Sequence, residues 1–402
     1  MAAVAEPAEE GLIVVGGGIG GLATALAVAG AGWSVRVLER SPDFREIGAG
    51  IQLAPNATRL LDRWGLLDRL VDVGVLPSRL VLRSAMSGRE LTCLHLDEKF
   101  RETYKGPYIV LHRSDLLAAL VDACRSRPTI TLEVDKTVTE VLEDGDGVEV
   151  TCSDGSRRTA SALVGADGLW SAIRRRIVDD EPICSGFVSY RGAVPLEAVS
   201  EHPSLDDVVA WIGPGLHFVQ YPLRRGELYN QVAVFRSDEY ARGEEDWGTP
   251  EELDRRFASC CPQVVAALPA LRRDNRWVMY DREPVASWSS GRITLVGDAA
   301  HPMLQYLAQG ACQAFEDAAC LGAALQGRGA DEVAAAFGGY SDARSPQASR
   351  VQRRARVWGD IWHVDGVGAL LRDELLLQRD PYDYRHIEWL YGPTASCSWR
   401  DA

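Results

Sequence analysis

Leu12-Ile13-Val14-Val15 is an unbroken apolar run, and it gives way at once to Gly16-Gly17-Gly18-Ile19-Gly20-Gly21. Small and apolar residues then continue from Leu22 to Ala31. This pattern predicts a short buried strand, a tight turn and a small-residue helix. Val35-Arg36-Val37-Leu38 predicts the next strand, closing a β-turn-α-β unit at Glu39. Farther on, Thr58 to Leu70 reads as one helix with Leu60, Leu61, Trp64 and Leu67 on a common face. Leu80 to Leu96 reads as strands, and Ile109-Val110-Leu111 as a strand leading to Arg113, with Ser114 as the cap of a following helix. From Thr129 to Gly165 the pattern is short strands with turns at Asp144-Gly145, Asp146-Gly147 and Asp154-Gly155. The last of these strands, Ala162-Leu163-Val164, runs into Gly165-Ala166-Asp167-Gly168.

The second half repeats the alternation at larger scale. Phe187 to Phe235 is mostly strand, broken at Gly213-Pro214-Gly215, and Pro250 to Leu271 is helical. Arg292 to Val296 is a strand feeding Gly297-Asp298, residues 311–326 form a helix, and more helices follow to about residue 380. The predicted class is α/β, a dinucleotide-type domain interrupted by a sheet-rich second domain. A length of 402 residues exceeds one ordinary core and agrees with two domains sharing an interface.

Composition narrows the partners. The net charge of −14 argues against nucleic acid and against an anionic membrane surface. Residues 1–10 have neither a basic start nor an apolar run, so no signal peptide is expected there, and disorder is the expectation for that stretch. The glycines between Leu12 and Leu38 suit a βαβ turn rather than a membrane span. Nine cysteines without a CxxC pair or a metal-like His cluster read as reduced, buried thiols in a cytoplasmic protein, with no metal site.

Gly16-x-Gly18-x-x-Gly21 with an acid, Glu39, at the end of the second strand points to a nucleotide cofactor whose ribose Glu39 accepts from. This fingerprint does not separate FAD from NAD. A second site for the same ligand is expected where Gln309-Gly310-Ala311 opens a helix, since small residues let backbone N–H groups approach an anion. The N1–C2 edge of a reduced flavin is such an anion. Asp298 is placed to bind ribityl hydroxyls, and Arg113 a phosphate or ribityl oxygen.

Gly16 to Gly21, Gly165-Ala166-Asp167-Gly168 and Gly297-Asp298 together resemble, in order and over nearly the whole chain, the three fingerprints of the single-component FAD-dependent aromatic hydroxylases. That family resembles para-hydroxybenzoate and salicylate hydroxylases in fold. The resemblance implies a Rossmann-like FAD-binding domain built from 11–75, 109–184 and 281–345. It implies a substrate domain from 76–108 and 185–280, and a C-terminal helical region from 346–402. It implies bound FAD, NADH as a transiently docked reductant, and O2 captured as a flavin C4a-hydroperoxide. Asp167 and Gly168 would lie near both cofactors, with further FAD contacts at Val15, Ile19, Gly20, Arg40, Gln52, Val138 and Cys312. A homodimer is the family default, with the C-terminal helices as its interface.

The substrate is addressed by two segments. In Leu216 to Pro222 a strand would put His217, Val219 and Tyr221 on one face, flanking a small ring. A phenol reacts faster with an electrophile once deprotonated, and a histidine is the natural group to take that proton. Relatives usually have proline where this chain has Gln305, whose amide offers a donor and an acceptor over the flavin face. His217, Tyr221 and Gln305 resemble the substrate pocket of the 3-hydroxybenzoate 6-hydroxylases, and the tail segments Ile361 to Gly366 and Trp389 to Gly392 resemble those enzymes as well. Tyr108 is a further pocket candidate. The implied reaction is hydroxylation of 3-hydroxybenzoate para to its hydroxyl, giving 2,5-dihydroxybenzoate. The alternatives are salicylate or another phenol in the same fold and, in a different class, a nucleotide-binding sensor without turnover. His301 reads as structural, and Arg174 to Arg176 as a solvated basic run that can offer one arginine to a nicotinamide phosphate.

Overall fold

The computed structural model describes residues 11–44, 49–199 and 204–392; residues 1–10 therefore lie outside the described residues. The expected β-turn-α-β unit forms as Leu12–Val15, Ile19–Gly30 and Val35–Leu38. These two strands belong to a six-stranded sheet that runs, edge to edge, Ser289–Ser290, Ile293–Leu295, Ala162–Gly165, Leu12–Val15, Val35–Leu38, Ile130–Glu133. All its pairings are parallel except that of the short Ser289–Ser290 edge strand. Both faces are covered, which is why the strands read as continuous apolar runs. The Gly310–Leu325 helix lies along Ile19–Gly30, and a Cβ at Gly322 would come within 2.9 Å of the Ala27 carbonyl oxygen. Those two helices therefore meet backbone to backbone, and their small residues have a packing reason.

A seven-stranded sheet gathers Arg79–Ser84 and Glu90–His95 with four long strands and Trp277–Asp281. Its order puts Arg79–Ser84 parallel to Asp207–Gly213, which pairs in turn with Leu216–Leu223. One face packs under the helices Pro250–Phe257 and Pro262–Ala267, through residues such as Phe218, Phe235 and Phe257. The other, carrying Ala210, Ile212 and Val219, meets Tyr306 and the end of the Val333–His363 helix at Trp362. A sheet buried on both faces explains why Leu216–Leu223 is buried at all but one position.

Three local readings change. The helix expected over Thr58 to Leu70 is two, Pro55–Arg63 and Leu67–Val73, parted at Gly65, whose φ of +70° no ordinary helical residue adopts. The helix after Ile109–His112 begins at Arg113, so His112 is its cap, and Ser114, inside the first turn, bonds the His112 ring at 2.6 Å. Pro250 to Leu271 breaks around Cys260-Cys261, where Pro262 starts a new helix. The Asp-Gly turns close hairpins as expected, with Asp144 Oδ1 accepting from the Asp146 and Gly147 amides. Among the described residues seven cysteines are free thiols, but Cys320 is disulfide-bonded, which corrects the expectation of thiols throughout. Among the described residues no helix is long and apolar enough to cross a membrane, and no cluster of His, Cys, Asp and Glu could hold a metal ion.

Candidate active site

The glycine turn is shaped by contact as much as by conformation. A Cβ on Gly16 (φ +110°) would sit 2.3 Å from the Ala166 oxygen, and one on Gly21 would sit 1.9 Å from the Gly16 oxygen. Gly18 is different: nothing lies within 4 Å of its missing side chain. The helix that starts at Ile19, beside Gly18, has no side-chain cap, so its first N–H groups are left for a ligand. That is an open anion site at a helix N-terminus, suited to a pyrophosphate. Glu39 is held at the mouth of the turn, where its two oxygens accept from the Gly17 amide at 2.7 Å and the Ser41 amide at 2.8 Å. Arg40 beside it is exposed, and the Lys136 amide bonds the Glu39 carbonyl, which brings the segment leading to Val138 alongside. Asp167 is spent locally: its carboxylate accepts from Ser171 Oγ and from the Ala172 and Ile173 amides. Gly168, with φ of +80°, has open space around it.

The other half of the cradle comes from the far end of the chain. Val296 leads into the Gly297–Ala299 turn, where Asp298 is the exposed residue in a buried run. A Cβ on Gly310 would lie 3.8 Å from Asp298 Oδ1, so the acid stands beside the uncapped start of the Gly310–Leu325 helix. Ala308 is held at φ +52° just before it, and the buried Gln309 Nε2 has no partner among the described residues. Gly310 and Ala311 leave this helix start open. The Cys312 thiol points inward instead, accepting from the Ala54 amide at 3.5 Å, and burial pushes its pKa up to about 12.

Beneath this helix start lies a buried ionic network. Asp317 accepts from the Gly297 amide at 3.0 Å, from His301 Nε2 at 2.5 Å and from Arg344 Nε at 2.8 Å. Arg344 also bonds Glu316 at 2.7 Å, and Glu316 accepts from Asn56 Nδ2, which bonds Gln309 as well. Burial alone would raise the Asp317 carboxyl; His301 and Arg344 outweigh it and hold it at about 2. His301 is thus a tie between turn and helix, as its sequence reading held.

A cavity of about 550 Å³ opens between the seven-stranded sheet and the C-terminal helices. Its wall includes His217, Gln305, Tyr108, Gln52 and Trp362, and it reaches Ala308, two residues before Gly310. Tyr108 Oη donates to Gln52 Oε1 at 2.6 Å. Tyr221 is hydrogen-bonded to Gln52 too but is not part of the wall, which moves it from flanking the ring to supporting Gln52 from behind. Arg113, at the start of its helix, lies close enough to Tyr221 to act on it electrostatically. Burial drives the Tyr108 hydroxyl well above its ordinary pKa and His217 well below its own. Both are neutral, while the guanidinium groups of Arg354 and Arg379 bring positive charge elsewhere in the wall.

The FAD binding domain family matches residues 10–355. The chain belongs to that family. FAD is its cofactor, and the two uncapped helix starts with Asp298 and Glu39 between them fit that group end to end. Among its relatives is 3-hydroxybenzoate 6-hydroxylase 1 of Aquipseudomonas alcaligenes, 39% identical over 95% of this chain and 97% of the relative. Another is the 3-amino-4-hydroxybenzoate 2-monooxygenase of Streptomyces cremeus, 36% identical over 96% and 95% of the two chains. Among solved structures, Klebsiella pneumoniae HpxO complexed with FAD and uric acid superposes with a TM-score of 0.81 at 27% identity, covering 96% of this chain and 97% of that one.

Several residues of this flavoprotein's site escaped the sequence reading. Glu316 and Asp317 carried a signal, two adjacent acids in an Ala-rich helix whose other residues, Gln313 apart, are apolar or small, since buried acids require a partner. Their partner Arg344 did not, being one arginine among many. His363 lay in the tail segment that the resemblance marked, but its pairing with His217 did not show: its Nε2 lies 2.8 Å from His217 Nδ1 across 146 residues of sequence.

Proposed function

We propose that this FAD-dependent aromatic hydroxylase acts on 3-hydroxybenzoate. With NADH, a proton and O2 it would give 2,5-dihydroxybenzoate, NAD+ and water. The carrying observation is that His217 and Gln305 share the wall of one cavity that reaches Ala308, beside the Gly310 helix start. The relatives that hydroxylate hydroxybenzoates support the same substrate class. Bound FAD supplies the electrophilic oxygen. The chain's own groups do the rest. His217 takes the phenol proton at Nε2, and the Gln305 amide orients the ring over the flavin. Tyr108 and Gln52, braced by Tyr221, fix its other edge, while the rings of Tyr306 and Trp362 exclude water. NADH reduces the flavin from a transient dock, and the enzyme works in the cytoplasm as a homodimer. Its contact would be the Gly366–Leu377 helix, where Val367, Leu370 and Leu375 are each more than 70% exposed.

The test mixes FAD-loaded protein with NADH in air and either 3-hydroxybenzoate or salicylate, then analyses the products. 3-Hydroxybenzoate is expected to accelerate NADH oxidation and give 2,5-dihydroxybenzoate in near-equal amount. His217→Ala should slow hydroxylation by about a hundredfold, the scale of one lost proton-transfer group. Accelerated oxidation that yields only peroxide would assign the cavity to a different phenol.

A further inference from the structure

His217 is on the Leu216–Leu223 strand and 1% exposed; His363 is the last residue of the Val333–His363 helix and only half-buried. Their rings are 5.1 Å apart between centroids and inclined by 20°, with the 2.8 Å Nδ1 to Nε2 contact joining them. Phe187 stacks on His363, Tyr306 and Trp362 pack edgewise on His217, and Arg372 is the charged group facing His363. Among the described residues no carboxylate bonds either ring.

We propose that His363 is the proton-relay partner of His217, carrying the phenol proton from the cavity to solvent. The inference rests on the hydroxylase reading above. Two neutral imidazoles joined by one hydrogen bond have two arrangements. If His363 donates, His217 must carry its own proton on Nε2, toward the cavity, and cannot act as a base. If His217 Nδ1–H donates to His363 Nε2, His217 Nε2 is bare and can accept. The phenol O–H bond then breaks as N–H forms at His217 Nε2. His217 Nδ1–H passes its proton to His363 Nε2, and His363 Nδ1–H is released to water. Protonation of the product phenolate runs the same path in reverse and restores both rings. No imidazolium stays on His217, which matters because burial disfavours that charge. The His363 proton stands at a helix C-terminus, which favours a passing positive charge. Burial and Arg372, which bonds the Ile361 and Trp362 carbonyls, disfavour its staying, with the His363 pKa lowered to about 3.

Two variants and one spectrum test this. His363→Gln keeps a hydrogen-bonding atom beside His217 but hands on no proton; His363→Ala leaves a half-open gap. Both are expected to slow single-turnover hydroxylation by about tenfold to a hundredfold with FAD and substrate affinity unchanged, and free imidazole should restore His363→Ala. His363→Gln at the wild-type rate would show that His363 only aligns the ring and would overturn the relay. Nitrogen NMR of the FAD-loaded, substrate-free protein with labelled histidine should find the His217 proton on Nδ1; finding it on Nε2 overturns the relay as well. This spectrum needs no substrate. If the wild type makes no 2,5-dihydroxybenzoate, the proposed function fails while the relay is still judged.

Discussion

Beneath the Gly297 turn, Asp317 and Arg344 are as fully buried as His217 and Tyr108 are in the cavity wall, yet the first pair is charged and the second neutral. Burial acts on all four in the same sense, against the ionised form. The difference is what stands within bonding distance. Asp317 has Arg344 at 2.8 Å, so each keeps the other ionised, and the Gly297 and His301 contacts absorb the remaining lone pairs. His217 meets only another imidazole and aromatic rings, so nothing offsets its desolvation. The cofactor frame is therefore ionic, and the His217 and Tyr108 side of the reaction cavity is neutral. A phenolate formed there is the one new charge, which raises the value of removing its proton completely.

The largest expected effect breaks the ionic side of that contrast. Arg344→Met leaves Glu316 and Asp317 buried without their cation, and removing one partner of a buried ion pair costs about 3–5 kcal/mol. Urea unfolding should show that loss, and FAD should dissociate more readily because the Gly297 turn loses its anchor. A cost below about 1 kcal/mol would mean that packing rather than charge holds the frame.

Acid should separate the two regions more gently. For His217 and His363 the folded pKa lies below the ordinary histidine value of 6.5, so the unfolded chain binds protons first as pH falls. Their contribution is intact above about pH 6.5 and is lost as pH falls below it, for His363 down to about 3, by at most about 1.4 kcal/mol per pH unit for each histidine. Asp317 is also depressed, from 3.8 to about 2, so its share persists until pH falls below about 4. Melting temperatures measured from about pH 8 to pH 4.5 should decline below 6.5, and His363→Gln should flatten that decline. An unchanged slope in the variant would remove the dyad as its cause.

What the sequence made legible follows the same division. The Gly16 turn, the Glu39 strand end and the uncapped Gly310 helix depend on neighbours a few residues away, and the parallel sheet on apolar runs that need no partner to be recognised. His217 and Gln305 could be picked out singly, as polar groups in apolar surroundings. Their company could not. The strand bearing His217 faces the end of a helix 146 residues later, and no periodicity encodes that pairing. Tyr221 was legible as a residue sharing a strand face with His217, but the position of Gln52 between it and the cavity depends on the Gly50–Leu53 and Ile109–His112 strands pairing. Ser114 misled for a local reason: it is a good capping residue that comes two positions after the cap, His112, because the preceding strand runs straight into the helix at Arg113.

The smallest effect tests where the border between the two regions lies. Gln52 was expected at the cofactor and Tyr108 at the substrate, yet they share a 2.6 Å hydrogen bond. Tyr108→Phe removes only that bond, at a cost of about 0.5–1.5 kcal/mol, since the ring stays and Tyr221 still holds Gln52. If the pair belongs to the cavity, the loss should appear as a several-fold rise in KM for the aromatic substrate with FAD content and kcat unchanged, because a group that touches substrate equally before and during reaction contributes uniform binding. If it belongs to the frame, FAD affinity falls instead and KM for the aromatic holds. Titration of FAD into the apoprotein, set beside KM for the phenol, therefore assigns Gln52 to one region or the other. A change in both would place it at the junction, where the flavin ring itself forms part of the substrate's wall.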